Sequence, residues 1–354
     1  MNTFYKRLLS AAFLLLLCRF ASAQDSIRSK YVDTFSEYSM LNPFVQGLND
    51  SFSLKPRGGK EESSFVPNNT YQLGCGVYFF GIGFDFAYSL QPSDAENKKY
   101  GTTTYHDIRT NFLYGNWGIN FFTKKYHGFY REDNFGNRKN QIALRPDITT
   151  TNNGVEGIYA LNQSKFSLCS SYIFSERQIK SSGSVILSGT VNKFTLASDS
   201  AVASNDFEQA IKVKSSFNFL RYTTMSIAPG YSHNIVWKHF FANVTFAVGP
   251  AYHWMKFVTD EKTHYDINLN TYYDFRLALG YNGTRFFGGV NLTQLQRNIQ
   301  LERVTFSNSS YLLRLNVGMR IKDKGFMKKR VLDIVKNAFK QKRNGESPID
   351  LEGY

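Results

Sequence analysis

The stretch Tyr311-Leu312-Leu313-Arg314-Leu315-Asn316-Val317-Gly318-Met319-Arg320-Ile321 alternates with a period of two. Tyr311, Leu313, Leu315, Val317, Met319 and Ile321 fall on one side, and Leu312, Arg314, Asn316, Gly318 and Arg320 on the other. Successive side chains of a strand point to opposite faces, so this segment has one apolar face and one face carrying guanidinium and amide groups. Residues 269 to 281 repeat the pattern, with Leu269, Tyr273, Phe275, Leu277, Leu279 and Tyr281 opposite Asn270, Tyr272, Asp274, Arg276 and Gly280. So do residues 78 to 88, where Tyr78, Phe80, Ile82, Phe84, Phe86 and Tyr88 oppose Phe79, Gly81, Gly83, Asp85 and Ala87.

Two architectures bury such a face. In a soluble sandwich it meets a second apolar sheet; in an outer-membrane barrel it meets lipid, aromatic girdles mark the headgroup levels and the polar face lines the lumen. Three features favour the barrel. The segments approach the roughly 9 to 11 residues that cross a bilayer at a tilt, Tyr and Phe recur at segment ends, and Asp107, Arg109, Asp274, Arg276 and Arg314 sit mid-strand on the polar face. Lipid forbids an open sheet edge, so the sheet is expected to close.

The predicted fold is therefore all-β, a transmembrane up-and-down antiparallel β-barrel. Strands are expected near 70 to 79, 81 to 90, 102 to 113, 117 to 127, 154 to 162, 165 to 175, 183 to 198, 220 to 235, 239 to 256, 266 to 281, 285 to 297 and 310 to 322. Short turns at Gly115-Asn116, Asn162-Gln163-Ser164, Lys238-His239 and Asn282-Gly283-Thr284 belong on the periplasmic side. These twelve strands break the up-down order between residues 165 and 238. Splitting 183 to 198 into a hairpin and adding a strand within 35 to 55 restores it at fourteen, so the expectation is 12 to 14 strands. The barrel is placed at 70–322, after an N-terminal segment 24–69 with room for one strand. A basic tail follows at 323–354, with an amphipathic helix over 326 to 340 (Val331, Ile334, Val335 and Ala338 at helical spacing) and disorder beyond.

The start of the chain carries Lys6 and Arg7, an apolar run from Leu8 to Leu17, and Ala21-Ser22-Ala23 before Gln24: a secretory signal peptide, cleaved after Ala23. Cys18 follows Leu17 rather than a small residue, which argues against lipidation. Cleavage removes Lys6, Arg7 and Arg19 and no acid, so the formal charge of +14 falls by three and the mature chain stays basic. Cys75 and Cys169 remain; both lie in strand-like stretches, where a buried thiol is the favoured role and a disulfide the alternative. Past the signal, charges and amides interrupt every apolar run, which excludes a membrane-spanning helix. The 32 Phe and 22 Tyr rule out a disordered tail protein.

Tyr100-Gly101, Asp107-Ile108-Arg109-Thr110-Asn111 and Tyr126-His127-Gly128-Phe129-Tyr130 resemble the family catalogued as domain of unknown function 4421. Matches at Pro67-Asn68, Leu73-Gly74, Arg145-Pro146-Asp147, Asn162, Lys165-Phe166-Ser167, Glu176-Arg177-Gln178, Ser182-Gly183-Ser184 and Pro229-Gly230-Tyr231 extend the resemblance over most of 30 to 322. It implies an exported outer-membrane protein of Gram-negative Bacteroidetes, with no activity to inherit.

The candidate lumen residues are Asp85, Asp107, Arg109, Asn111, Asp274, Arg276, Arg314 and Arg320. They read either as a charge-selective constriction or, the favoured alternative, as a cross-strand network that fills a narrow barrel. Glu176, Arg177 and Gln178 before the Ser181 to Ser184 turn form a candidate polar site at the rim, or, more simply, a turn held by its own hydrogen bonds. A lipid hydrolase needs a nucleophile beside a base; Ser232 and His233 supply the types but point to opposite faces, so catalysis is the less favoured reading. The six histidines show no metal-ligand spacing, and no phosphate-cradling loop is present, so neither metal nor cofactor is expected. Export and the placement of the aromatics argue against nucleic acid. Lys98, Lys99, Arg131, Arg138 and Lys139, read as loop residues, could contact lipopolysaccharide, beside outer-membrane lipid as the general partner. The expected function is passage or binding of a small polar or amphipathic molecule; a structural surface barrel and an enzyme acting on outer-membrane lipid are the alternatives.

Overall fold

The computed structural model describes residues 27–323 apart from 70, 80–81, 137, 212–216, 260–261 and 302–303. The expected signal peptide and the expected C-terminal amphipathic helix lie outside the described residues. In chain order the elements are β1 (Val32–Thr34), β2 (Tyr38–Pro56), β3 (Glu62–Val66), β4 (Tyr71–Phe79), β5 (Ile82–Ser89), α1 (Asp94–Tyr100), β6 (Thr104–Tyr114), β7 (Trp117–Phe135), β8 (Arg138–Ala160), α2 (Cys169–Tyr172), β9 (Glu176–Gln178), β10 (Ser182–Ala197), α3 (Asn205–Ile211), β11 (Phe219–Trp237), β12 (Phe240–Val258), β13 (Thr263–Asn282), β14 (Phe286–Leu301) and β15 (Val304–Lys322).

Antiparallel ladders run β7-β8-β10-β11-β12-β13-β14-β15, and β15 returns to β2 with Arg314 opposite Gln46. Through β3 the ring closes as ten strands at its upper end, where Ser63–Phe65 pair with β2 and Glu62–Val66 with β7. In the lower half β4, β5 and β6 take the place of β3. β4 pairs with β2 and β5 with β4, while β6 pairs with β7 from Thr104 opposite His127 to Tyr114 opposite Trp117. Among the described residues no ladder joins β5 to β6.

The up-and-down barrel stands, and the strand order is corrected at three places. The barrel begins at β2 in the N-terminal segment, rather than at 70, because Phe44, Leu48, Phe52 and Leu54 supply an inward apolar row and β15 needs a partner. The span 183 to 198 is one strand, β10. The span 165 to 175 is not a strand: it carries α2 and enters the barrel. Removing that false strand cures the broken up-down order. Three of the predicted short turns, at Gly115-Asn116, Lys238-His239 and Asn282-Gly283-Thr284, join strands at the lower end; Asn162-Gln163-Ser164 lies at the same end but opens the long β8–β10 connection instead of joining two strands.

Apolar sidedness inverts along the strands. In the lower half of β15 the outward residues are Leu313, Leu315 and Val317, with Val317 63% exposed, while Asn316 and Arg320 are buried inside. Above Ser307-Asn308-Ser309-Ser310 the phase flips, so that Thr305 and Ser307 face out and Val304 and Phe306 face in. β14 does the same, from outward Phe286 and Val290 to outward Gln296 and Asn298 over buried Leu295 and Ile299. Below, the exterior is an apolar belt with a ring of aromatics at its lower edge, where Trp117 meets Tyr159 at 4.8 Å and Phe240 meets Tyr281 at 5.3 Å. Above, the wall is built like a soluble barrel around Phe52, Phe65, Phe194, Tyr222 and Phe306.

Candidate functional site

Both ends of the bore are filled. At the top, the β10–β11 connection packs Val202, Ala203 and Phe207 into the apolar core, with Phe207 edge-on to Phe135 at 5.2 Å. At the bottom, residues 161–181 fold back into the lumen as a plug. Phe174 stacks on Phe287 at 4.8 Å, Ser171 donates to Asn234 Oδ1 at 2.8 Å, and the Tyr172 hydroxyl donates to Asn243 Oδ1 at 2.7 Å. The predicted rim residues belong to this plug. Glu176 accepts from Arg28 at 2.6 Å, Arg177 pairs with Asp33, and Gln178 accepts from the Ser167 amide at 3.0 Å, in a two-stranded β1–β9 sheet.

Between the two fillings lies a chamber of about 450 Å³. Asp85, Asp107, Arg109, Asn111, Arg276 and Arg314 line it as their alternation predicts. Asp274 stands directly behind Arg276, which grips its carboxylate through two contacts of 2.9 Å. Arg320 is elsewhere: it donates to the Phe174 and Gly283 carbonyls and holds the plug at the lower end.

Each charge at the chamber is matched. Arg109 grips Asp107 through two 2.7 Å contacts and reaches Asp50 at 3.3 Å. Lys124 donates to Asp50 at 2.9 Å and to the Ser310 hydroxyl at 2.9 Å, and Tyr126 donates to Asp107 at 2.9 Å. Arg314 lies over the Phe44 ring at 4.1 Å and donates to Gln46 at 2.8 Å and Asp85 at 2.6 Å. Glu156 accepts from Asn120 at 3.0 Å and from Arg297 at 3.1 Å. A buried ion is tolerated only when paired and hydrogen-bonded, and these pairs meet that condition within the barrel. Among the described residues lining the chamber, two buried acceptors have no partner: the Oδ1 atoms of Asn120 and of Asn291.

Sequence reading missed Asp50, Lys124, Glu156, Asn120, Asn291 and Ser310. Lys124 and Asn120 share the inward face of β7, and Asn291 that of β14, so the alternation contained them. Asp50 was hidden because its segment stood outside the expected barrel. The side chains of Ser232 and His233 diverge as expected: Ser232 bonds to Thr245 Oγ1 at 2.6 Å within the wall, while His233 faces Tyr231.

Of the residues read as loop cations, Lys98 and Lys99 are exposed on α1, Arg138 and Lys139 open β8, and Arg131 is a buried β7 residue paired with Asp133 at 2.9 Å. Arg131 is thus corrected from loop to barrel interior, because β7 continues past the predicted end at 127 to Phe135. Cys169 is likewise corrected from a strand to α2; it and Cys75 are both free.

The family model described as a domain of unknown function (DUF4421) matches residues 24–320. No curated protein matches the chain. Among solved structures, the outer membrane protease OmpT of Escherichia coli is similar at a TM-score of 0.38 and 8% identity, over 82% of this chain and 98% of that one. The attachment invasion locus protein Ail of Yersinia pestis, in complex with a heparin analogue, gives 0.21 and 10%, over 80% and 99%. The transport unit of the autotransporter AIDA-I of Escherichia coli gives 0.30 and 9%, over 86% and 97%.

Proposed function

The chain belongs to the DUF4421 family, and we propose that it is an outer-membrane barrel that binds a small amphipathic molecule in its central chamber rather than conducting solute along its axis. The exterior supports the location. From Tyr311 to Ile321 the outward row is apolar for about the height of a roughly 25 Å hydrocarbon band, and it ends below in an aromatic ring. Taking the lower end as periplasmic, as the sequence reading places its turns, the apolar-cored upper half stands outside the cell. The family match beginning at Gln24 agrees with a signal peptide cleaved after Ala23.

The single observation that carries the binding reading is a chamber closed above by an apolar core and below by the plug. Its volume lies within the ~300–1,000 Å³ range of small-molecule sites, and its lining mixes paired charges with Leu48, Leu295 and Leu312. Native mass spectrometry of the folded protein released from mild detergent tests this. A bound amphiphile is expected, weakened about tenfold, or ~1.4 kcal/mol, by Asn291→Leu. A chamber that never retains an amphiphile, or steady conductance in planar bilayers, overturns it.

A further inference from the structure

The wall of the chamber is interrupted on one side. The β5–α1–β6 excursion leaves the sheet at Ser89 and re-enters at Thr104, and the two strands descend the belt half of the barrel without a ladder between them. The chamber is lined there by residues of both faces: Asp107, Arg109 and Asn111 from the lumen side, and Phe86, Ile108 and Phe112 from the exterior. A continuous sheet would separate those two sets, so the cavity passes through the wall. Phe86 and Ile108 are each 67% exposed.

Unpaired backbone groups facing hydrocarbon cost several kcal/mol each, and irregular backbone at membrane depth persists only where it is buried in protein or lines a water-filled cavity. The unpaired edges of β5 and β6 border the chamber, which supplies the second of these conditions. With the axis filled above and below, the gap gives the chamber a lateral opening.

We infer that the chamber is loaded sideways from the bilayer through the gap between β5 and β6, and that its occupant is a membrane lipid with a zwitterionic or uncharged headgroup, held head inside and tails outside. This rests on the chamber-binding reading above and adds a route and a ligand class. The volume admits a headgroup and not a whole two-chain lipid, so the tails stay in the belt, against Phe86, Ile108 and Phe112. Headgroup charge follows from the pairing: carboxylates and guanidiniums alternate with no excess cation, so an anionic head gains no net attraction, whereas a zwitterion meets complementary partners on both sides. Asn120 and Asn291 add neutral amide groups to the lining, which suit an uncharged or zwitterionic head.

The test uses the full mature chain in phosphatidylcholine vesicles carrying phosphatidylethanolamine with a photoactivatable group on either the head or a tail, with the labelled sites mapped by mass spectrometry. The head probe is expected to mark Asn120 and Asn291, and the tail probe Phe86, Ile108 and Phe112. Bridging Phe86→Cys to Ile108→Cys with a bifunctional maleimide, in a Cys75→Ser background, is expected to lower the chamber marks about tenfold while heat-modifiable mobility reports an intact barrel. Should the bridged protein not fold, Ile108→Trp fills the same gap and gives the same reduction. Undiminished marks at Asn291 in both variants overturn side loading. Equal marking by a phosphatidylglycerol probe overturns the headgroup assignment. If bilayer probes never reach the chamber although octyl glucoside occupies it in detergent, side loading fails and chamber binding survives; if neither enters, both fail.

Discussion

Individual residues set where the wall opens. Gly128 lies at φ 86° in the bulge of β7, where β6 ends and β3 takes over as partner, and a Cβ there would stand 2.3 Å from the Thr102 carbonyl. Gly128→Ala is therefore expected to cost about 1–3 kcal/mol, read as a lower urea midpoint for refolding into detergent. Glu96 in the exposed capping box of α1 accepts from the backbone amide and the hydroxyl of Ser93, which hold its carboxyl below the usual glutamate range. A depressed folded value means that the contribution is present above the unfolded value and lost as pH falls through the folded one. Hydrogen-exchange protection of α1, corrected for intrinsic rates, is thus expected to fall below about pH 4, and to lose that pH dependence in Glu96→Gln, whose amide oxygen still accepts from the Ser93 amide but does not titrate. Cys169 is buried in the plug, where burial raises its thiol well above the ordinary value, whereas Cys75 is half-exposed on β4. A membrane-permeant maleimide should label Cys75 in the folded protein and Cys169 only after thermal unfolding.

At the scale of elements, the plug explains why one alternating segment is not a strand. Phe166, Leu168, Tyr172 and Phe174 fall at even positions and Ser167, Ser171 and Ser175 at odd ones, a partial alternation of the kind the barrel strands show. The alternation registers two unlike surroundings and cannot say whether they are lipid and lumen or two walls of one lumen. Here Phe174 is fully buried between Phe241 and Phe287, and Arg320 holds its carbonyl. Phe174→Ala is expected to cost about 3–5 kcal/mol, measured by urea unfolding. It should not produce conductance, because the upper core still closes the bore; a steady current in that variant would show that the plug alone seals the barrel.

For the whole molecule, the inverted sidedness divides one barrel into a belt half and a capped half. The belt half is expected to fractionate with the outer membrane and to make the folded protein migrate faster on gels before heating than after. Recovery in the soluble fraction without detergent would contradict the belt.

The alternation at 102 to 113, 269 to 281 and 311 to 321 by itself determined an all-β barrel with a polar interior, and it put Asp107, Arg109, Arg276 and Arg314 on one inner surface, because a period of two is a local property of the backbone. Only the tertiary structure decided that β2 closes the ring, that 165 to 175 is a plug, that Arg320 serves the plug rather than the chamber, and that β5 and β6 do not pair. Each depends on which distant segment lies alongside. Strand partnership is a contact between residues far apart in the chain, and the local pattern of side chains is the same whichever neighbour is present.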